Sequence, residues 1–162
     1  MLFEAETVRN IIDERDVTDL LFLYSECIDT RRFDRLGEVF SLDAEVDLGF
    51  GVWRTLETIV DGYRRLLADI EGTAHAVSNT RVRINDNRGN STAYVQAWHW
   101  IRREPNIPAH RPADFLFVAL YLDDWVKEHQ VGWRIRRRRA RRIGPTALAF
   151  GTLPVSMIPN QG

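Results

Sequence analysis

The spacing of apolar residues changes at Gly72, and this change constrains the fold more than any other feature of the sequence. Before Gly72 the apolar residues recur at helical spacing, whereas after it they alternate with polar residues as they do in β-strands. Helices that precede a run of long strands are typical of an α+β fold, in which the helices pack on one face of an antiparallel sheet. A curved sheet closed over by helices leaves a pocket on its concave side.

Three helices are predicted before Gly72. The first spans residues 8–28, with a break near residues 16–18 as an open alternative. The second is short, spans residues 34–40 and has Asp34 as a possible N-cap. The third spans residues 55–70 and is closed by Gly72. Two short strands, residues 44–48 and 52–53, flank a turn between the second and third helices.

Four long strands are predicted after Gly72, at residues 74–84, 91–102, 114–126 and 132–143. The polar residues 85–90 indicate a hairpin turn, and the three prolines of segment 104–112 indicate a loop. No linker or repeat divides the chain, so one domain is expected over residues 1–162. Its core covers about residues 8–143, and residues 144–162 form a tail.

The composition excludes several classes of protein. Apolar residues make up 44% of the 162 residues, but no apolar run approaches the roughly 20 residues that span a bilayer. Cys27 is the single cysteine, so an internal disulfide and a multi-cysteine metal site are excluded. The net charge is −1, and the N-terminal residues lack the pattern of a secretory signal. A cytoplasmic protein that binds neither membranes nor nucleic acid is expected.

Seven arginines occupy residues 134–142, and they allow two interpretations. A nucleic-acid-binding patch is one. The other is a late strand whose arginines pair with acidic residues elsewhere. Strand alternation divides such a run between two faces of the sheet, which favours the second interpretation.

Three polar residues are candidates for chemistry in the pocket. Asp29 ends the first helix, His75 opens the first long strand and His99 lies in the second. If these strands form a hairpin, parity lets both imidazoles project to the same face. A carboxylate beside an imidazole fixes its tautomer and raises its basicity, as a general base requires. A second imidazole could donate a hydrogen bond to the substrate or protonate a leaving group. Each histidine considered alone would more simply be a core residue bonded to a backbone carbonyl.

Four stretches of the sequence carry a resemblance to a known family: residues 28–34 (IDTRRFD), 40–44 (FSLDA), 75–79 (HAVSN) and 132–135 (GWRI). Together they resemble the SnoaL-like branch of the nuclear-transport-factor-two-like superfamily, and within it scytalone dehydratase and lindane dehydrochlorinase. The resemblance implies a cone-shaped α+β barrel, usually dimeric or larger. It also implies a metal-free elimination site with Asp29 and His75 as the proton-abstracting pair and His99 as the second active-site histidine.

The sequence departs from scytalone dehydratase at two positions. That enzyme binds its ketone, through water, with two tyrosines, and the matching positions here are Ile28 and Leu48. The naphthol substrate is therefore not carried over. Members of the superfamily also differ widely in chemistry, so the resemblance predicts the fold better than the reaction.

The resulting prediction is a cofactor-independent lyase or isomerase that acts on a small cyclic or aromatic hydroxy-carbonyl compound. The alternative is a non-catalytic ligand-binding or assembly subunit of the same fold. A homodimer is expected to form through the outer sheet face, which bears Tyr94, Gln96, Trp98 and Trp100. The residues predicted to contact the substrate are Tyr24, Phe40, Trp53, Asn79 and Phe117.

Overall fold

A computed structural model describes residues 2–103 and 110–148 of the chain. The tail expected at residues 144–162 and the loop expected at 104–112 therefore lie largely outside the described residues. Helix α1 runs without interruption from Leu2 to Asp29. The break considered near residues 16–18 is absent, because Val17 is fully buried and the Thr18 hydroxyl donates back to the Glu14 carbonyl.

The two helices that follow α1 are shorter than the sequence predicts, whereas the two short strands are longer. A 3₁₀ helix, Phe33–Glu38, replaces the predicted second helix, and its N-cap is Arg32 rather than Asp34. Strands β1 (Phe40–Asp47) and β2 (Val52–Arg54) form a hairpin. Helix α2 spans Leu56–Leu66 and is capped by the hydroxyl of Thr55, which accepts from the amide of Thr58.

The remaining strands form the long part of the sheet: β3 (Ile70–Asn85), β4 (Arg88–Ile101), β5 (Phe115–Glu128), β6 (Gly132–Arg142) and the short β7 (Ala147–Leu148). The order is β2-β1-β6-β5-β4-β3, with β7 paired to β5. The sheet is curved but unclosed, so the predicted α+β fold is confirmed.

One pairing corrects the expectation of a wholly antiparallel sheet. Strands β1 and β6 run parallel, with Val46 opposite Arg138. Parallel neighbours cannot be joined by a tight turn, and here α2 and three long strands lie between them in the sequence. Local patterns in the sequence therefore carry no signal for this pair.

Strand parity assigns the two faces of β4 correctly. In β4, Ala93, Val95, Ala97 and His99 are buried on the concave face, whereas Tyr94 and Gln96 on the other face are exposed. Helix α1 covers the concave face and packs chiefly against β3. The buried carboxylate of Asp13 connects α1 to β5 and β6, because it accepts hydrogen bonds from Lys127 and from the Trp133 indole.

The arginine run is divided between buried and exposed positions of β6, although an irregularity between Ile135 and Arg137 interrupts strict alternation. Arg136 and Arg137 form ion pairs with Asp43 and Glu45. Arg138 points inward and is fully buried. No described helix is long and apolar enough to cross a membrane.

Candidate active site

The carboxylate of Asp29 and the ring of His75 are in direct contact on the concave face. Asp29 is the last residue of α1, and His75 lies in β3, the strand against which α1 packs. The Nδ1 atom of His75 is 2.6 Å from Oδ1 of Asp29, within the range of a charge-assisted hydrogen bond. The predicted contact between these two side chains is therefore confirmed. Since an ionised carboxylate only accepts, Nδ1 carries the hydrogen, and Nε2 is the nitrogen left for a ligand.

Two further donors fix the position of the Asp29 carboxylate. The backbone N–H of His75 donates to Oδ2 at 2.8 Å, and the Thr73 hydroxyl donates to Oδ1 at 2.8 Å. Arg31 in turn donates to Oγ1 of Thr73 and to the Ile28 carbonyl at the end of α1. Burial raises the pKa of Asp29, but the hydrogen bonds that it accepts, foremost from the His75 ring, outweigh burial and leave the pKa lowered. Asp29 is therefore held as a charged carboxylate.

His99 lies beside His75, with ring centroids 6.1 Å apart, and stacks on Phe115. Its Nδ1 is 2.9 Å from the Ala97 carbonyl. Because a carbonyl only accepts, Nδ1 must be the protonated nitrogen of His99. Burial, with the neighbouring His75 adding to it, lowers the pKa of His99 to about 3. His99 is therefore neutral at physiological pH, and its Nε2 is an acceptor.

This state of His99 corrects the expectation that the second imidazole donates a hydrogen bond to the substrate or protonates a leaving group. The only N–H of neutral His99 is committed to the Ala97 carbonyl. Strand parity predicted the position of the ring but not its tautomer, which depends on a carbonyl two residues away in the same strand.

Both histidines line a cavity of about 390 Å³ on the concave face. Such a volume suits a small ring-shaped molecule. Of the residues predicted to contact a substrate, Tyr24 and Phe117 line this cavity. Ile28 and Leu48 line it as well.

Three of the predicted contacts are corrected, since these residues do not line the cavity. Phe40 is buried behind Tyr24, and Trp53 packs edge-on against Tyr63. Asn79 is exposed at a bulge between Ser78 and Arg81, where its φ of 50° departs from strand geometry. The alternation counted from His75 fails beyond this bulge, because the extra residue reverses which face of the sheet each following side chain points to.

Sequence reasoning missed two tyrosines of the cavity wall. Tyr63 of α2 and Tyr121 of β5 line the cavity together with Tyr24 of α1. The Tyr24 and Tyr63 hydroxyls are 2.8 Å apart. Both missed residues fit an ordinary apolar face of a helix or strand, so only the packing of the three elements distinguishes them.

A metal site is not evident in the part of the chain that the structure describes. Within residues 2–103 and 110–148, no three His, Cys, Asp or Glu side chains are grouped so that they could hold a metal ion.

Comparison with known proteins identifies the family of the chain. The family description of the SnoaL-like domain matches residues 9–139. The chain belongs to the SnoaL-like domain family. This confirms the resemblance noted in the sequence. A SnoaL-like relative, the uncharacterized protein Rv2910c of Mycobacterium tuberculosis, is 33% identical over 135 residues, which cover 82% of this chain and 86% of the relative.

Solved structures agree with this fold at low sequence identity. A candidate scytalone dehydratase from Novosphingobium aromaticivorans superposes with a TM-score of 0.73 at 21% identity, over 88% of this SnoaL-like chain and 91% of that one. The hexachlorocyclohexane dehydrochlorinase LinA type 2 superposes with a TM-score of 0.65 at 16% identity, over 95% and 97% of the two chains. At these identities the likeness shows the fold alone.

Proposed function

We propose that this SnoaL-like protein is a cofactor-independent lyase or isomerase that removes a proton adjacent to the carbonyl group of a small cyclic or aromatic hydroxy-carbonyl compound. One observation carries the proposal: the 2.6 Å contact between His75 Nδ1 and the Asp29 carboxylate, with the same imidazole lining a cavity. A base oriented by a carboxylate beside an enclosed space is what carbon deprotonation requires.

The chemistry follows from the hydrogen-bond assignments. Nε2 of His75 takes the proton from carbon, and the C–H electron pair forms a carbon–carbon double bond as the carbonyl π pair moves to oxygen. Asp29 stabilises the imidazolium that forms, because its charge lies on the opposite side of the ring. In an elimination the electron pair then returns from oxygen and expels a hydroxyl from the neighbouring carbon.

The proton that His75 takes is also the proton that completes the reaction. His99 is neutral with its N–H bonded to the Ala97 carbonyl, so it has no proton to give. The His75 imidazolium therefore returns its proton, either to the departing hydroxyl, which leaves as water, or to another carbon in an isomerisation.

The family membership supports the reaction class. Two proteins that share the fold bear names of enzymes that eliminate a small molecule, a scytalone dehydratase candidate and a dehydrochlorinase. In the proposal, the type of reaction is taken from this likeness, and the residues assigned to it are taken from the site of this chain.

The test measures carbon deprotonation directly, because exchange of a proton for deuterium requires no knowledge of the full reaction. Cyclic β-hydroxyketones and hydroxylated aromatic ketones are incubated with the protein in D₂O, and loss of the α-proton or of water is followed by NMR. We expect His75→Gln to slow exchange by about 10²–10⁴-fold. The control is His129→Gln, which replaces an exposed histidine and should leave the rate unchanged.

Asp29→Asn separates the role of the carboxylate from that of the ring. An amide N–H facing Nδ1 would favour the tautomer in which Nε2 carries the hydrogen, so the rate should fall and its dependence on pH should shift. If His75→Gln lowers only the melting temperature and leaves exchange per folded molecule intact, the proposal is wrong. Binding of these compounds without exchange would instead favour a non-catalytic ligand-binding or assembly subunit.

A homodimer is part of the proposal. The outer face of the sheet carries apolar residues on two adjacent strands, namely Tyr94, Trp98 and Trp100 on β4 and Leu116, Val118, Leu120 and Leu122 on β5. A second copy of the chain would remove this face from water. A cytoplasmic location, and the absence of nucleic-acid partners, stay predictions.

A further inference from the structure

The proposed reaction, on which this inference rests, requires a hydrogen-bond donor for the carbonyl oxygen. Negative charge develops on that oxygen when the proton leaves carbon, and a donor placed in advance stabilises it. Neither histidine can serve. The His75 Nδ1–H is bonded to Asp29, and the single N–H of His99 is bonded to the Ala97 carbonyl.

The hydroxyls of Tyr24, Tyr63 and Tyr121 are the donors that buried residues contribute to the cavity lining, which also includes the exposed Arg141 and Arg142. The Tyr24 hydroxyl is 2.8 Å from that of Tyr63, and the Tyr24 and Tyr121 rings pack edge to face with centroids 5.8 Å apart. The bond between the Tyr24 and Tyr63 hydroxyls uses one of the three hydroxyl hydrogens. Hydroxyl hydrogen is therefore left to donate to a ligand.

The cluster lies beside the base. The Tyr24 ring centroid is 6.4 Å from that of His75, so a small molecule in the cavity can contact both. Burial raises the pKa of all three tyrosines, which keeps them protonated as donors.

A buried cation lies behind two of these rings. The guanidinium carbon of Arg138 is 4.1 Å from the centroid of Tyr24 and 4.3 Å from that of Tyr121. Arg138 forms a two-bond ion pair with buried Asp123, at 2.7 and 2.8 Å, while its Nη1 has no hydrogen-bond partner among the described residues. A cation over a phenol ring draws electron density from it and makes its O–H a stronger donor.

We propose that Tyr24, Tyr63 and Tyr121 bind the carbonyl oxygen of the substrate and stabilise its negative charge, with Arg138 as the positioning residue behind them. His99 then accepts a hydrogen bond from a substrate hydroxyl at Nε2. The substrate class is accordingly a carbonyl compound whose second oxygen is a hydroxyl, since a second carbonyl would meet the His99 lone pair without a hydrogen between them.

The test uses 4-nitrophenol, whose phenolate imitates the charged oxygen, and 4-nitrotoluene, which has the same shape but lacks that oxygen. Binding of both is measured by calorimetry in the His75→Gln background, so that no imidazolium contributes. Tyr63→Phe and Tyr121→Phe are compared with Tyr94→Phe, a substitution on the outer face. We expect the first two to weaken phenolate binding about tenfold or more, because a hydrogen bond to a charged group is lost. Binding of 4-nitrotoluene should change little, which also shows that the cavity is intact.

Three results would overturn the proposal. The His75→Gln protein could show no preference for phenolate over 4-nitrotoluene, or it could fail to bind phenolate. The phenylalanine variants could also lose affinity equally for both ligands. The deuterium-exchange assay keeps the two proposals separate. A preference for phenolate without any deuterium exchange would contradict the proposed reaction but not the tyrosine assignment. Deuterium exchange together with unchanged phenolate affinity in the phenylalanine variants would contradict the tyrosine assignment but not the reaction.

Discussion

The neutral state of His99 predicts how the stability of the protein depends on pH. The pKa of this histidine is about 3 in the folded protein, against 6.5 for an unperturbed imidazole. At pH 7.5 the ring is neutral in both states and contributes no difference. Below pH 6.5 His99 is protonated in the unfolded chain, whereas in the folded protein it stays neutral until the pH approaches 3. The free energy of unfolding therefore falls as the pH falls through this window.

The size of this effect follows from the two pKa values. Between pH 7.5 and pH 5 the linkage relation gives a loss of about 2 kcal/mol from His99 alone, at about 1.4 kcal/mol per pH unit once the unfolded group titrates. Urea unfolding at several pH values, followed by tryptophan fluorescence, measures the loss in the wild type and in His99→Gln. The variant should be less stable at pH 7.5, but its stability should fall less on acidification, by about 2 kcal/mol.

The quantity compared is the change in the free energy of unfolding between two pH values, so a loss of packing in the variant does not affect it. His129→Gln serves as the control, since an exposed histidine should leave the wild-type dependence on pH unchanged. Equal acid sensitivity of the wild type and His99→Gln would show that folding does not lower the pKa of His99. In that case the ring would be protonated at pH 5 in the folded protein, and the argument from its burial would be wrong.

Two further predictions concern assembly and packing. Leu120→Glu, which places a charge opposite Tyr94 on the outer sheet face, should raise the dissociation constant of the proposed dimer on the order of a hundredfold; a wild type that sediments as a monomer at micromolar concentration would contradict the dimer. Gly62→Ala should lower the free energy of unfolding by about 1–3 kcal/mol, because the added Cβ would overlap the Trp53 indole. Gly51→Ala, where the added Cβ meets nothing within 4 Å, is the matched control, and similar thermal shifts in the two variants would refute the packing argument.

The sequence predicted the part of the site that depends on local periodicity. Helical spacing placed Asp29 at the end of α1, and strand parity placed His75 and His99 on one face of a hairpin. These inferences succeeded because the register of β3 and β4 is regular where the histidines lie. The same parity failed at Asn79, since a bulge is invisible to a count of alternate residues.

The tyrosine cluster and its buried cation depend on tertiary structure instead. Tyr24, Tyr63 and Tyr121 come from three different elements, and their side chains come together only when α1 and α2 pack over β5. Arg138 is one of seven similar arginines, and its burial depends on a partner in the neighbouring strand, Asp123. No pattern within one element distinguishes such residues from ordinary core or surface positions.

The Asp29 carboxylate is held independently of much of the cavity wall. The His75 ring and the Asp29 carboxylate lie where the end of α1 meets β3, and three hydrogen bonds from Thr73 and His75 fix them there. Other parts of the cavity wall, such as Leu48–Phe50 and Leu66–Leu67, belong to the β1–β2 connection and the end of α2. Substitutions there can reshape the space around a ligand while the contact between Asp29 and His75 stays in place. In the proposed reaction, selectivity and reactivity can therefore be varied separately, which makes these wall positions natural targets for redirecting the protein to a new ring system.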